Sequence, residues 1–311
     1  MKYINCKDLR LSVFSLGTVQ LGMDYGLGDH TAKPSRDYAF SILDRAIACG
    51  VNTLDTANNY GESERVIGEW LKTVEPSQKP FLVTKIGPFD HSSREALRAD
   101  ILSQAHTCLQ TLGVPQLDFL MIHSFEDYAQ SPGTVSEVMA ELKEKGIVRH
   151  SAISVYSEND YKLVAKSGFD AIQIPLNVFD WSQIESGGIQ ALADAGISIF
   201  ARSVFLQGLV FMNPEELDPR MSFCKPYLEK FLSLCREFDM SPSVLAMSFV
   251  LSVPGITTVV LGCQTPEQVE NNCELMKQTR TLSPEEMSRL RNAFVDIDPR
   301  VINPRCWFNH F

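Results

Sequence analysis

Four side chains of complementary chemistry punctuate the first 123 residues: an acid, Asp55; a phenol, Tyr60; an amine, Lys85; and an imidazole, His123. A phenol with a pKa of about 10 is a poor proton donor at neutral pH unless a nearby ammonium stabilises its phenolate. Lys85 can supply that charge, and Asp55 can keep the lysine ionised in a low-dielectric pocket. His123 can hydrogen-bond a substrate oxygen or relay a proton. Such a group is a general acid suited to a developing alkoxide. Taken singly, each has an ordinary reading: Asp55 as a turn or helix cap, Tyr60 as a turn aromatic beside Gly61, Lys85 as a snorkelling strand-end lysine, His123 as a satisfied core histidine. Only joint placement argues for chemistry.

That placement depends on the elements carrying them. Short apolar runs read as strands at Phe14–Thr18, Thr53–Asp55, Phe81–Lys85, Leu117–His123, His150–Ser154, Ala171–Pro175, Ile197–Ala201 and Thr258–Leu261. Helix-period segments lie between them, such as Ser93–Leu112, where Leu97, Ile101, Ala105, Cys108 and Leu112 share a face before Gly113 ends the helix. In "AIACGVNTLD", "LKEKGIVRHSAIS" and "ALADAGISIFA" an apolar helix end meets a glycine and a strand follows. Strands alternating with helices imply parallel pairing. Eight such units predict an α/β fold, a (β/α)8 TIM barrel spanning residues 1–311 as one domain. "YINC" and "LSVF" flanking "KDLR" predict an N-terminal β-hairpin at the barrel bottom. The wide gap before the eighth strand predicts helices near Lys225–Phe238 and Ser241–Val253, and Ser283–Phe294 reads as an extra C-terminal helix capped by Ser283. In this fold the strand C-terminal ends face the site, so Asp55, Tyr60, Lys85 and His123 converge from three adjacent strands. No glycine-rich dinucleotide fingerprint follows the first strand, which argues against a doubly wound sheet.

Composition narrows the function classes. The chain has 311 residues, 44% hydrophobic and 21% charged, with a formal net charge of −10. That acidity argues against a nucleic-acid partner. No stretch is apolar enough for a membrane span and the start has no signal-peptide core, so a cytoplasmic protein is expected. The eight cysteines form no C-x-x-C pair, and no metal-ligand spacing appears. They read as small core residues in a reducing compartment.

"LDTANNYGESE", "VTK" ending at Lys85 and "MIHS" around His123 resemble the four-residue site of the aldo-keto reductase family. The resemblance runs from "SLGTVQLG" to "EQVENN". It implies an NAD(P)H-dependent oxidoreductase that reduces an aldehyde or ketone, or oxidises the corresponding alcohol or sugar hydroxyl, by direct hydride transfer. Tyr60 would be the acid/base, tuned by Lys85 and Asp55, with His123 positioning the carbonyl. Ser154 and Gln173 match positions that hold the nicotinamide carboxamide. Arg202, Ser203, Phe205, Gln207 and Gly208 lie in "RSVFLQG", similar to the loop covering the nicotinamide and pyrophosphate. Gly262, Cys263, Gln264, Gln268, Asn271 and Asn272 match the adenosine segment, where a helix start offers backbone N–H groups.

Three departures stand out. Arg202 replaces a frequent aromatic, and a guanidinium plane can stack in its place. Val155 replaces a frequent asparagine. No lysine or arginine occurs from Gly262 to Asn272. NADP is the expected cofactor from the resemblance, with NAD as the alternative that the uncharged segment supports. Met23, Tyr25, Asn58, Trp181 and Phe205 are candidate walls for a small carbonyl or sugar substrate. The tail residues Trp307, Phe308, His310 and Phe311 either fold over the barrel mouth or pack outside it or against a second subunit. The alternative function, from another class, is a cofactor-binding redox sensor or regulatory barrel with little turnover.

Overall fold

A computed structural model describes residues 1–25, 32–156, 159–304 and Trp307. Two strands, β1 (Tyr3–Cys6) and β2 (Leu9–Ser12), pair antiparallel and precede everything else. The following elements are β3 (Phe14–Gly17), α1 (Val19–Gly22), α2 (Arg36–Ala48), β4 (Thr53–Asp55), α3 (Ser63–Leu71), β5 (Phe81–Ile86), α4 (Arg94–Leu112) and β6 (Leu117–Ile122). Then come α5 (Phe125–Gln130), α6 (Pro132–Glu144), β7 (Val148–Ser154), α7 (Tyr161–Val164), β8 (Ala171–Pro175), α8 (Ser182–Glu185), α9 (Gly188–Asp194) and β9 (Ser198–Arg202). The chain finishes with α10 (Lys225–Glu237), α11 (Pro242–Ser252), β10 (Ile256–Gly262), α12 (Pro266–Gln278), α13 (Pro284–Ala293) and α14 (Pro299–Ile302).

Strands β3 to β10 close a parallel eight-stranded barrel in the order β10-β3-β4-β5-β6-β7-β8-β9. It is a TIM barrel. The expected strands recur within a residue or two at most ends. The hairpin differs from expectation: its turn is only Lys7–Asp8, with Cys6 opposite Leu9, because Lys7 takes φ 56° and reverses the chain earlier. The two helices expected before the last barrel strand are α10 and α11, preceded by short 3-10 turns between Leu206 and Cys224.

Period-two alternation decides what each barrel strand offers to the interior. Val83, Phe119, Met121, Ala152, Ala171 and Phe200 form an inner cluster with Cys6, Leu9 and Leu11 of the hairpin, which plugs the floor. Phe119 meets Phe200 edge to face at 5.3 Å between centroids. One step further along the same faces, beyond this apolar layer, stand Lys85, His123, Ser154, Gln173 and Arg202. The outer faces of the strands pack against the helices in a second, larger core.

Helix ends follow local chemistry. Ser93 caps α4 by accepting from Ala96 N, and Gly113 ends it at φ 68° in the left-handed region. Ser283 and Glu286 form a complete capping box on α13. Of the tail, Trp307 is buried in the outer core, its Nε1 donating to the Arg300 carbonyl at 2.9 Å. Phe308, His310 and Phe311 lie outside the described residues.

Candidate active site

The Asp55 end of β4 is extended by backbone bonding to its neighbour. Thr56 N donates to Val83 O and Asn58 N to Lys85 O, at 2.8 and 3.0 Å. The chain then turns at Tyr60. That turn docks on the end of α1 so closely that a Cβ at Gly22 would lie 1.8 Å from the Tyr60 carbonyl oxygen. Only glycine fits there, and Gly61 at φ 56° completes the turn. Thr18 and Ser63 tie the strand end down: Thr18 Oγ1 donates to Asp55 O at 2.8 Å, and Ser63 Oγ to Thr18 O at 3.0 Å.

The four expected side chains meet. Lys85, fully buried, donates from Nζ to Asp55 Oδ1 at 2.6 Å and to Thr56 O at 2.8 Å. Its ammonium stands 4.9 Å from the Tyr60 ring centroid. Burial alone would lower the Lys85 pKa, but the Asp55 carboxylate and then Tyr60 outweigh it and hold the pKa above the ordinary lysine value. Tyr60 and His123 meet edge to face at 5.8 Å. The His123 pKa is pulled down to about 3, by burial first and then by the positive charges of Lys85 and Arg202. Its ring is therefore neutral at pH 7, and its buried Nδ1 has no partner among the described residues. A charged lysine, a phenol in contact with it and a neutral imidazole can together deliver a proton to a carbonyl oxygen.

Around this centre, Gln173 Nε2 donates to Asp55 Oδ2 at 2.7 Å, so both carboxylate oxygens are engaged. Ser154 sits beside Gln173 in the register of β7 and β8. Arg202, ending β9, donates to Val155 O at 3.0 Å and Ser203 Oγ at 3.4 Å, and lies over the Tyr156 ring at 4.6 Å. Its guanidinium has a ring to stack on within the chain itself. Backbone strain is concentrated next door: Ser203, Leu206, Gln207 and Gly208 have φ of 62°, 46°, 51° and 96°. Three of these are not glycine, and such clustering is typical of ligand-clamping loops. Phe205 packs on Phe211, centroids 5.1 Å apart.

The segment after β10 has its own order. Cys263 is buried, its thiol accepting from Asn272 Nδ2 at 3.2 Å, and burial raises its pKa to about 12. Gln264 N donates to Gln268 Oε1 at 2.7 Å, while Gln268 and Asn271 are exposed. Gln20, which the motif-based reading passed over, has a buried Oε1 with no partner among the described residues, and its amide fills the space a Cβ at Gly262 would take, 2.3 Å away. It lies on α1, inside "SLGTVQLG", and only tertiary packing exposes its relation to Gly262. These features fit an extended dinucleotide: a strained loop and an orphan amide oxygen beside Gly262 at the end of the last strand.

Among the wall candidates, Met23 and Tyr25 are exposed at the rim. Asn58 donates to Gln104 Oε1 at 2.8 Å, and its buried Oδ1 has no partner among the described residues. Trp181 is instead a core residue, packed 5.0 Å from Phe249 with Nε1 donating to Val178 O, so it does not present its indole as a wall. No group of three or more metal-ligating side chains is found among the described residues. None of the described helices is long and apolar enough to cross a membrane.

A barrel with this rim defines a class of oxidoreductases, and comparison with known proteins agrees. The model of the Aldo/keto reductase family matches residues 14–294. The chain belongs to the aldo/keto reductase family and is an oxidoreductase. It is 27% identical over 295 residues to the uncharacterized oxidoreductase YqkF of Bacillus subtilis (strain 168), covering 89% of this chain and 94% of that one. It is 24% identical to the NADH-specific methylglyoxal reductase of Escherichia coli (strain K12), covering 85% and 90%. Its fold matches the holo form of aldo-keto reductase AKR11C1 from Bacillus halodurans at a TM-score of 0.76, with 22% identity over 94% of this chain and 96% of that chain. Members of the family use NAD(P)H and act on small carbonyl substrates.

Proposed function

We propose that the protein reduces an aldehyde or ketone, or runs the reverse oxidation, with Tyr60 as general acid/base. The observation that carries this reading is the buried Lys85–Asp55 pair in contact with Tyr60, because it keeps a positive charge against a half-buried phenol. A bound nicotinamide dinucleotide supplies the hydride. The side chains do the rest. Tyr60 passes its proton to the carbonyl oxygen while Lys85 stabilises the phenolate left behind. Asp55 fixes the lysine, and Gln173 fixes Asp55. His123, neutral and with a ring nitrogen unengaged, orients the carbonyl.

For the dinucleotide, Ser154 and Gln173 are proposed for the carboxamide, and Arg202, Ser203, Phe205, Gln207 and Gly208 for the nicotinamide and pyrophosphate side. Gly262, Cys263, Gln264, Gln268, Asn271 and Asn272 are proposed for the adenosine, joined by Gln20. The family resemblance favours NADPH. The electrostatics of α12 favour NADH: its exposed first turns carry Glu267 and Glu270, and the nearby Arg45 is paired with Glu270 at 3.0 Å. A fluorescence titration of each dinucleotide decides between them. NADPH affinity more than about tenfold above NADH, roughly 1.4 kcal/mol, would show that a base from elsewhere reaches the 2′-phosphate. Turnover of 4-nitrobenzaldehyde with dinucleotide consumption tests the activity itself, and cofactor binding with no turnover would instead mark a sensor or regulatory barrel.

A further inference from the structure

Two of the cysteines are not the enclosed core residues expected of them. Cys49 caps the C-terminal end of α2, Cys273 lies midway along α12, and both are half-buried. Cys6, Cys108, Cys224, Cys235 and Cys263 are buried.

Register brings the half-buried two together. The last barrel strand, β10, is hydrogen-bonded to the first, β3, so α12 and α2 pack side by side and run the same way along the barrel wall. Across that seam Arg45 Nη1 meets Glu270 Oε1 at 3.0 Å. Cys49 follows Arg45 by four positions, and Cys273 follows Glu270 by three. Those steps advance about 6 and 4.5 Å along the two axes and return to the same helix faces. The cysteines therefore stand opposite each other, one turn beyond the ion pair. Their side chains are hydrogen-bonded, the Cys273 thiol donating to the Cys49 sulfur, and both cysteines are free. Burial first, and then the charge of a Cys49 thiolate, push the Cys273 pKa up to about 12. Cys273 thus keeps its proton, and Cys49 is the sulfur that can act as the nucleophile.

We propose that Cys49 and Cys273 are a reversible redox site, at which a hydroperoxide joins them in a disulfide that added thiol reopens. The Cys49 thiolate attacks one peroxide oxygen, the O–O bond breaks, and the departing alkoxide takes a proton from water. Cys49 is left as a sulfenic acid. That group is uncharged, so the repulsion that raised the Cys273 pKa is gone. The Cys273 sulfur then attacks the Cys49 sulfur, the S–O bond breaks, and the hydroxyl leaves with the Cys273 proton as water. Two thiols give up two electrons and one peroxide takes them. The bond staples α12, which carries Asn271 and Asn272, to α2 and closes a loop spanning most of the chain.

Treatment with hydrogen peroxide, followed by DTNB titration in denaturant, tests the site. Wild type should fall from eight thiols to six. A non-reducing digest should yield one linked peptide pair holding Cys49 and Cys273, from a chain that still runs as a monomer on a non-reducing gel. The oxidised protein should melt about 3 °C or more higher, and dithiothreitol should reverse every change. Cys273→Ser should stop at the sulfenic acid, trapped on Cys49 by dimedone, while Cys49→Ser should keep its seven thiols. An unchanged wild-type thiol count, a linkage that omits either cysteine or joins two chains, or a melting temperature that does not move would overturn the proposal. Equal thiol loss in Cys49→Ser would overturn it as well.

Discussion

The two ends of the barrel handle buried charge differently. At the mouth, the Asp55–Lys85 ion pair is closed to water, and three polar atoms near it have no partner among the described residues: His123 Nδ1, Asn58 Oδ1 and Asp127 Oδ2. At the floor, charge is half-exposed and richly paired. Asp170 accepts from Lys143 at 2.5 Å and from Ser151 N at 3.0 Å, and Asp8 of the hairpin turn holds both His150 and Arg149, at 2.6 and 2.5 Å. The floor is satisfied and fastens the plug, while the mouth keeps donors and acceptors in reserve. In such barrels chemistry gathers at the C-terminal rim and stability at the other. The contrast predicts that substitutions at the mouth cost activity, with stability lost as well where they strand one partner of the buried Asp55–Lys85 pair, and that substitutions at the floor cost stability and spare activity.

Lys85→Met breaks the contrast most severely. It removes the charge beside Tyr60 and strands Asp55 in the interior, so activity should fall by at least about 10²-fold and stability by about 3–5 kcal/mol in denaturant melts. Loss of activity with unchanged stability would mean that Asp55 is not held as a buried anion.

Asp170→Asn tests the floor. Burial would raise the Asp170 pKa, but His150 and Lys143 outweigh it and hold the carboxyl well below the carboxylate range. A depressed folded-state pKa stabilises above the unfolded value of about 3.9 and loses that contribution as pH falls. The variant should therefore be less stable than wild type by about 1–3 kcal/mol at pH 7, with the gap narrowing below about pH 4. Its kcat/KM should stay within about twofold of wild type.

His123 at the mouth carries linkage of the same sign, from a group held neutral rather than charged. Its folded-state pKa of about 3 lies below the unfolded value of about 6.5, so the unfolded chain takes the proton first as pH drops. Between those limits wild type should lose stability on acidification faster than His123→Gln, by up to about 1 kcal/mol per pH unit. Parallel slopes in denaturant melts at pH 6.5, 5.5 and 4.5 would contradict a buried neutral imidazole. Asp8→Asn should have the smallest effect, about 0–1 kcal/mol, because that ion pair is exposed to solvent and salt.

Much of the scaffold was legible because each unit carries its own punctuation. Apolar runs of three to seven residues, and glycines at 50, 113, 146 and 196 ending the helices, mark strand after strand. The positions of Asp55, Lys85 and His123 followed from those strand ends. Other features depend on contacts between distant segments, which no local pattern encodes. Gln20 matters through Gly262, and Gly22 through Tyr60. Cys49 and Cys273 read locally as separate core residues, and only the packing of α2 against α12 pairs them. Trp181 shows the converse, since an aromatic just past a strand end turned inward to Phe249.

The central claim is that Tyr60 is an acid only because Lys85 stands against it. Tyr60→Phe removes the hydroxyl and leaves the Lys85–Asp55 pair intact. Measured side by side, its kcat/KM for 4-nitrobenzaldehyde should fall by about 10²–10⁴-fold, while dinucleotide affinity and thermal stability stay at wild-type values. Turnover within a few-fold of wild type would contradict the account.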